Sequence, residues 1–166
     1  GTCLDPDDRA FLERLAVRTG AAIVADEVFG EHPLPGHGPL PTWRGEREVL
    51  TFVLGGLSKR CGLPQLKLGW IAVAGPGDAK REALARLEWL GDLFLSVGSP
   101  VQAALPELLA LRHAFTERVR ERITANLAAL DAMLAAHPAC TRLPAHGGWT
   151  CVLRVPATRS DEAWAL

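Results

Sequence analysis

The sequence contains no tyrosine and a single methionine. It also lacks charge of one sign: 18 Lys and Arg stand against 19 Asp and Glu. A nearly neutral chain without a Lys/Arg run offers no basic field for a phosphate backbone, so no nucleic-acid partner is expected. No apolar run approaches the roughly 20 residues needed to cross a bilayer, and none is expected to meet a membrane. No signal-type pattern opens the chain. The four cysteines, Cys3, Cys61, Cys140 and Cys151, include no C-x-x-C pair. That spacing argues against a zinc site or a disulfide framework and predicts reduced thiols in a cytoplasmic protein, with no metal. What the chain does have is apolar content: 48% of its residues, enough for a folded core rather than disorder.

Punctuation along the chain is clear. Asp5-Pro6-Asp7-Asp8 predicts a helix start, with Asp5 as cap, Pro6 in the first turn and acids facing the positive helix end. Phe11, Leu12, Leu15 and Ala16 supply an apolar face, and Gly20 a stop. Ala21 to Ala25 is a short apolar run ending in Asp26-Glu27, and predicts a strand buried on both faces. Residues 30–48, rich in Gly, Pro and His, predict a loop. Further strands are expected at Val49–Leu54, Leu68–Ala74 and Trp149–Val155. Asp78 begins a helix with Ala83, Leu84, Leu87 and Leu90 on one face, and Ser99-Pro100 opens another that runs to about Leu111. From His113 to Ala136, the spacing of Phe115, Val119, Ile123, Leu127, Leu130 and Leu134 predicts one long helix. Alternating strands and helices followed by helices alone predict an α/β sheet domain from which a long helix leads away.

Two residues stand out chemically. Asp26 ends an apolar strand, where open α/β sheets collect ligands. A carboxylate there calls for a partner, which a cationic heterocycle nitrogen, an arginine or a helix N-terminus could each supply. Lys59 follows a strand and two glycines that let the backbone turn tightly. In an apolar pocket a lysine loses its proton more readily and becomes a nucleophile for aldehydes. On spacing alone, a surface lysine in a Gly-rich loop is the plainer reading. His32, His37 and His146 lie in Gly/Pro loops without metal-ligand spacing.

Taken together the motifs are more specific. Gly55-Gly56-Leu57-Ser58-Lys59-Arg60, then Leu63-Pro64, then Lys67-Leu68-Gly69-Trp70, resembles the lysine segment of class I/II aminotransferases, fold-type I enzymes that use pyridoxal 5'-phosphate (PLP). The Gly-Gly-Leu-small-Lys-Arg wording is similar to the tyrosine-aminotransferase-like branch. Ala25-Asp26-Glu27-Val28-Phe29 resembles that family's acidic strand end, Gly1-Thr2 the tail of its Asn-Pro-Thr-Gly turn, and Ser99-Pro100-Val101-Gln102-Ala103 its next helix start. The resemblance runs in order across nearly the whole chain.

The resemblance implies roles. Lys59 would hold PLP as a Schiff base and then move the proton between the substrate α-carbon and the cofactor. Asp26 would keep the pyridine nitrogen protonated, since a nearby anion raises its pKa. Ser58 and Lys67 would contact the phosphate, and Phe29 would flank the ring. The sequence departs from the family at three of these places. Phe29 stands where a tyrosine hydroxyl usually bonds the ring oxygen. Gly56 stands where many members have a phosphate-binding serine, and Lys67 replaces an arginine, giving up its bidentate fork.

The implied fold is part of a fold-type I large domain, a mostly parallel sheet with flanking helices, leading by a long helix into a small α+β domain. The expected division is 1–112 for the large domain, 113–137 for the connecting helix and 138–166 for the start of the small domain. Both ends fall inside elements, so an internal piece of a longer chain is expected. The family's phosphate loop and its substrate-clamping C-terminal arginine are not among these residues. Weak PLP binding and no transamination are therefore expected of the 166 residues alone. The complete protein is expected to be a homodimer acting on an amino acid and a 2-oxo acid. Alternatives on the same scaffold are a carbon–sulfur lyase, a decarboxylase, or a non-catalytic sensor or dimerisation module.

Overall fold

The computed structural model describes residues 1–165. Helix α1 (Pro6–Thr19) starts as its sequence dictates: the Asp8 N–H donates to Asp5 Oδ1 at 2.8 Å, and Gly20 closes the helix in the left-handed conformation. Strand β1 (Ile23–Asp26) follows, then an irregular stretch, then β2 (Thr51–Gly56). The short helix α2 (Leu57–Arg60) and a 3-10 turn (Pro64–Leu66) lead into β3 (Gly69–Ala74).

These strands form a three-stranded mixed sheet in the order β1-β2-β3. β1 runs parallel to β2, with Ile23 opposite Thr51 and Asp26 opposite Leu54. β3 runs antiparallel, with Gly56 opposite Gly69. The expectation of a mostly parallel sheet thus describes only one of the two pairings. The chain leaving β2 at Gly56 turns back at the same end, and such a return produces an antiparallel neighbour.

The prediction that β1 is buried on both faces is corrected. Ala25 is buried against Trp43 and Val53, with Leu12 of α1 packed on the same cluster, while Val24 on the opposite face is 66% exposed. β1 pairs on one side only, and α1 covers one face only. A second core cluster lies under α2: Leu57, Cys61 and Leu68 are buried, and Trp70, Val97, Val101 and Leu105 pack around them.

The remaining elements are helical. α3 spans Gly77–Leu93, and the single helix expected from Ser99 is divided into α4 (Ser99–Ala103) and α5 (Leu105–Ala110). The long helix α6 (Arg112–Ala135) has the expected stripe, half-buried from Phe115 to Leu134. The strand expected at Trp149–Val155 shrinks to β5 (Leu153–Arg154), paired with β4 (Thr141–Arg142). Gly147, just before the expected strand, makes an isolated antiparallel bridge to Pro33. A last helix, α7, covers Asp161–Ala165, and Leu166 lies outside the described residues.

Candidate active site

Parallel pairing of β1 and β2 sends both strands out of the sheet at the same end. Asp26 is the last residue of β1, and Gly55-Gly56 carry β2 into α2, where Lys59 sits. The glycines are needed for close approach. A Cβ on Gly55 would lie 2.5 Å from the Trp70 indole nitrogen, and one on Gly56 would lie 3.2 Å from the Leu68 carbonyl oxygen. The recess beside them, about 320 Å³, is lined by Val28, Gly55, Gly56, Ser58, Lys59, Lys67, Leu68 and Gly69. Two lysines and a serine are among its lining residues, and no acidic residue is. Lys67 itself is held with φ +52°, a left-handed conformation that a side chain seldom adopts.

Lys59 is half-buried. Its Nζ lies 6.0 Å from the centre of the Phe29 ring and 5.8 Å from that of Trp149. These two rings meet edge-on, 4.9 Å apart. The loop leaving β1 is fastened to α2 by adjacent residues. The Glu31 carboxylate pairs with the Arg60 guanidinium at 3.0 Å, and the His32 Nε2–H donates to the Lys59 carbonyl at 2.7 Å. Burial lowers the Arg60 pKa from its ordinary value, while neighbouring Glu31 acts in the opposite direction. Cys61, buried just beyond, is pushed up by desolvation, and Glu31 adds to the rise.

Asp26 departs from the expectation of a buried charge. Its carboxylate is exposed, and Oδ1 accepts from the Val28 N–H at 3.1 Å. Among the described residues no basic side chain pairs with it. Its neighbour Glu27 is occupied, accepting from the Trp43 N–H and from the Thr42 hydroxyl at 2.6 Å, and so secures the loop beside β1. Asp26 and Phe29 border a cavity of about 370 Å³ together with Gly1, Thr2, Leu12, Trp43 and Gly147. Ser58, Lys59 and Lys67 therefore share one recess, Asp26 and Phe29 share another, and the Phe29 ring stands beside the Lys59 amine. His37 and His146 stack edge-on at 5.1 Å, away from this lysine.

Sequence reasoning did not anticipate the contacts of His32 and Trp149 with Lys59. His32 was one loop histidine among three, and its contact with Lys59 spans 27 residues of sequence, which no local pattern announces.

The arrangement is an α/β sheet whose one end carries an amine, an unpaired carboxylate and a glycine-walled basic recess. These residues fit PLP: the recess has room and positive charge for a phosphate, Lys59 offers an amine to an aldehyde, and the exposed Asp26 carboxylate is free for a cationic ring nitrogen. The chain belongs to the family described as aminotransferase class I and II, whose model matches residues 1–165. That family is PLP-dependent.

Curated relatives agree. Nicotianamine aminotransferase 1 of Oryza sativa subsp. japonica is 28% identical over 115 residues, 66% of this chain and 23% of the relative. Nicotianamine aminotransferase B of Hordeum vulgare is 29% identical over 111 residues, 66% of this chain and 20% of the relative. The matched stretch thus spans less than a quarter of the length of these relatives. Among solved structures, tyrosine aminotransferase from Leishmania infantum superposes with a TM-score of 0.75 at 20% identity, covering 89% of this chain and 37% of that one. Alanine aminotransferase from Pyrococcus furiosus superposes with a TM-score of 0.75 at 16% identity, covering 95% and 40%. These two likenesses concern the fold. The PLP-dependent cyclase OrfR is 29% identical, with a TM-score of 0.67, covering 89% of this chain and 37% of that one.

Proposed function

We propose that this chain carries the cofactor lysine and the ring-nitrogen partner of an aminotransferase that moves an amino group between an amino acid and a 2-oxo acid. The observation that carries the reading is the common exit of Asp26 and of the Lys59 segment from one end of the β1–β2 pair. Ser58 and Lys67, with the backbone at Gly55 and Gly56, would hold the phosphate. Lys67 does so as a point charge, without the two-pronged grip of arginine. Phe29 packs beside the cofactor ring and offers it no hydroxyl.

When bound, the cofactor supplies an electron sink for the pair left behind as the substrate α-carbon loses its proton. Asp26 would favour a proton on the ring nitrogen by electrostatic attraction. Lys59 Nζ would hold the cofactor and, when free, would serve as the base that moves a proton at the substrate α-carbon. The Phe29 and Trp149 rings flank that amine on one side, at 6.0 and 5.8 Å. Residues 1–112 would form the large-domain part, 113–137 the connecting helix and 138–166 the small-domain part, in a homodimer.

A second reading is favoured by one finding. A PLP-dependent cyclase shares this fold at 29% identity, so the same fold can serve a PLP reaction other than amino transfer. Product analysis on the complete protein separates the two: a keto acid formed without ammonia indicates transfer.

The cofactor assignment is tested on the chain itself. It has three lysines, Lys59, Lys67 and Lys80. Incubation with PLP, reduction with borohydride and peptide mapping should place the pyridoxyl group predominantly on Lys59. Equal labelling of all three would remove the basis for the proposal.

A further inference from the structure

Two polar side chains are buried among the described residues, Thr51 and His32. Thr51 is explained by its strand, since its hydroxyl donates to the Val49 carbonyl at 3.1 Å. His32 is not explained by its loop. It is 3% exposed and enclosed by aromatic rings: Trp149 at 5.1 Å, Phe115 at 6.2 Å and Phe29 at 6.4 Å between centroids. An imidazole buried among aromatics costs free energy unless it is hydrogen-bonded, and an aliphatic side chain would fill such a space without that cost. Its side-chain bond goes to the carbonyl of Lys59.

That carbonyl needs a partner. α2 is only four residues long, and its bonded carbonyl is that of Leu57, which accepts from the Cys61 and Leu63 N–H groups. The Lys59 carbonyl lies in the last turn, where a helix offers nothing to accept from. Fixing this oxygen fixes the peptide plane after Lys59, and with it the direction in which the side chain departs. Two of the rings that enclose His32, Phe29 and Trp149, are the ones beside which the Lys59 amine lies. His32 is itself anchored by its backbone, donating to the Phe29 carbonyl at 3.0 Å and accepting from the Gly148 N–H at 2.8 Å.

We propose that His32 is a positioning residue for Lys59: its Nε2–H holds the lysine carbonyl, and so holds the amine in register with an incoming aldehyde. The inference rests on the proposed cofactor role of Lys59. A carbonyl oxygen only accepts, so the proton must reside on Nε2.

The test uses the 166-residue chain, PLP as the probe and the exposed Lys80 as an internal reference. After borohydride reduction, the ratio of pyridoxyl on Lys59 to that on Lys80 is read in wild type, His32→Leu and His32→Gln. Leucine fills space without donating, whereas the glutamine amide can donate to the same carbonyl. The ratio should fall roughly tenfold in His32→Leu, as expected for one lost buried hydrogen bond, and recover in His32→Gln. A wild-type ratio near one would overturn the cofactor role of Lys59. A high wild-type ratio left unchanged by His32→Leu, or lost equally in both variants, would overturn the His32 inference alone. Should either variant fail to fold, the wild-type imidazole 15N spectrum decides: the Nε2–H form supports the proposal, and the Nδ1–H form overturns it.

Discussion

Asp26 lies opposite Leu54 in the parallel pair of β1 and β2, so its carboxylate and the Gly55-Gly56 turn into Lys59 leave the sheet at the same end. A one-residue slip in this register would turn Asp26 to the other face and separate the two chemistries. Tyr is absent, and Phe29 flanks the pair without a hydroxyl. Without a hydroxyl at position 29, the proposed cofactor contacts would rest on the charged groups.

Asp26→Asn keeps the shape of the side chain and removes its charge. A carboxylate facing a protonated nitrogen is a charge-assisted pair, so PLP binding should weaken by roughly ten- to a hundredfold. Absorbance titration with PLP measures this. An unchanged dissociation constant would mean that Asp26 does not face the ring nitrogen.

Lys67→Arg restores a two-pronged donor at the basic recess. PLP and inorganic phosphate should both bind about three- to tenfold more tightly, and Lys67→Ala should weaken both. Because the effect is electrostatic, the advantage should shrink as salt is raised. A response of PLP without a response of phosphate would place Lys67 elsewhere than at the phosphate.

Leu57 is fully buried beneath the lysine turn, packed with Cys61 and Leu68. Leu57→Ala removes buried methyl groups and leaves a cavity, so stability should drop by about 2–5 kcal/mol. Urea denaturation should show a lower midpoint with an unchanged slope. A loss below about 1 kcal/mol would indicate that the cluster collapses to fill the gap.

Burial raises the Cys61 thiol pKa, whereas Cys151 is exposed. The thiolate is the reactive form, and a raised pKa leaves less of it at mildly alkaline pH. Iodoacetamide should therefore modify Cys151 first and Cys61 last, with Cys61 becoming reactive once the chain is unfolded in urea. Mass spectrometry of timed samples checks the order, and equal rates in the folded chain would contradict the burial.

Much of this was legible in the residues. The Asp5 cap, the Gly20 stop and the α6 stripe are local signals, and each does in the fold what its chemistry requires. The Lys59 segment and the Asp26 strand end were recognisable through their resemblance to the family's ordered motifs, since on spacing alone Lys59 reads as a surface lysine in a Gly-rich loop. The burial of β1 was misread because an apolar run reports hydrophobicity, not how many neighbours a strand will have. Val24 is as apolar as a core residue and is nevertheless exposed, since no element covers that face among the described residues. The strand expected at Trp149–Val155 is reduced to Leu153–Arg154, because strand length follows the partner available, here the two residues Thr141–Arg142.

The sequence by itself determined most of the helices and the strands' approximate places, because caps, glycines and hydrophobic period act over a few neighbours, while Asp26 and Lys59 stood out only through the resemblance of their segments to the family's motifs. Only the tertiary structure decided that β3 returns antiparallel, that Asp26 stays exposed, and that His32 reaches the Lys59 carbonyl between Phe29, Phe115 and Trp149. Those outcomes depend on which distant segments pack together, and packing is a property of the whole fold rather than of any stretch of it.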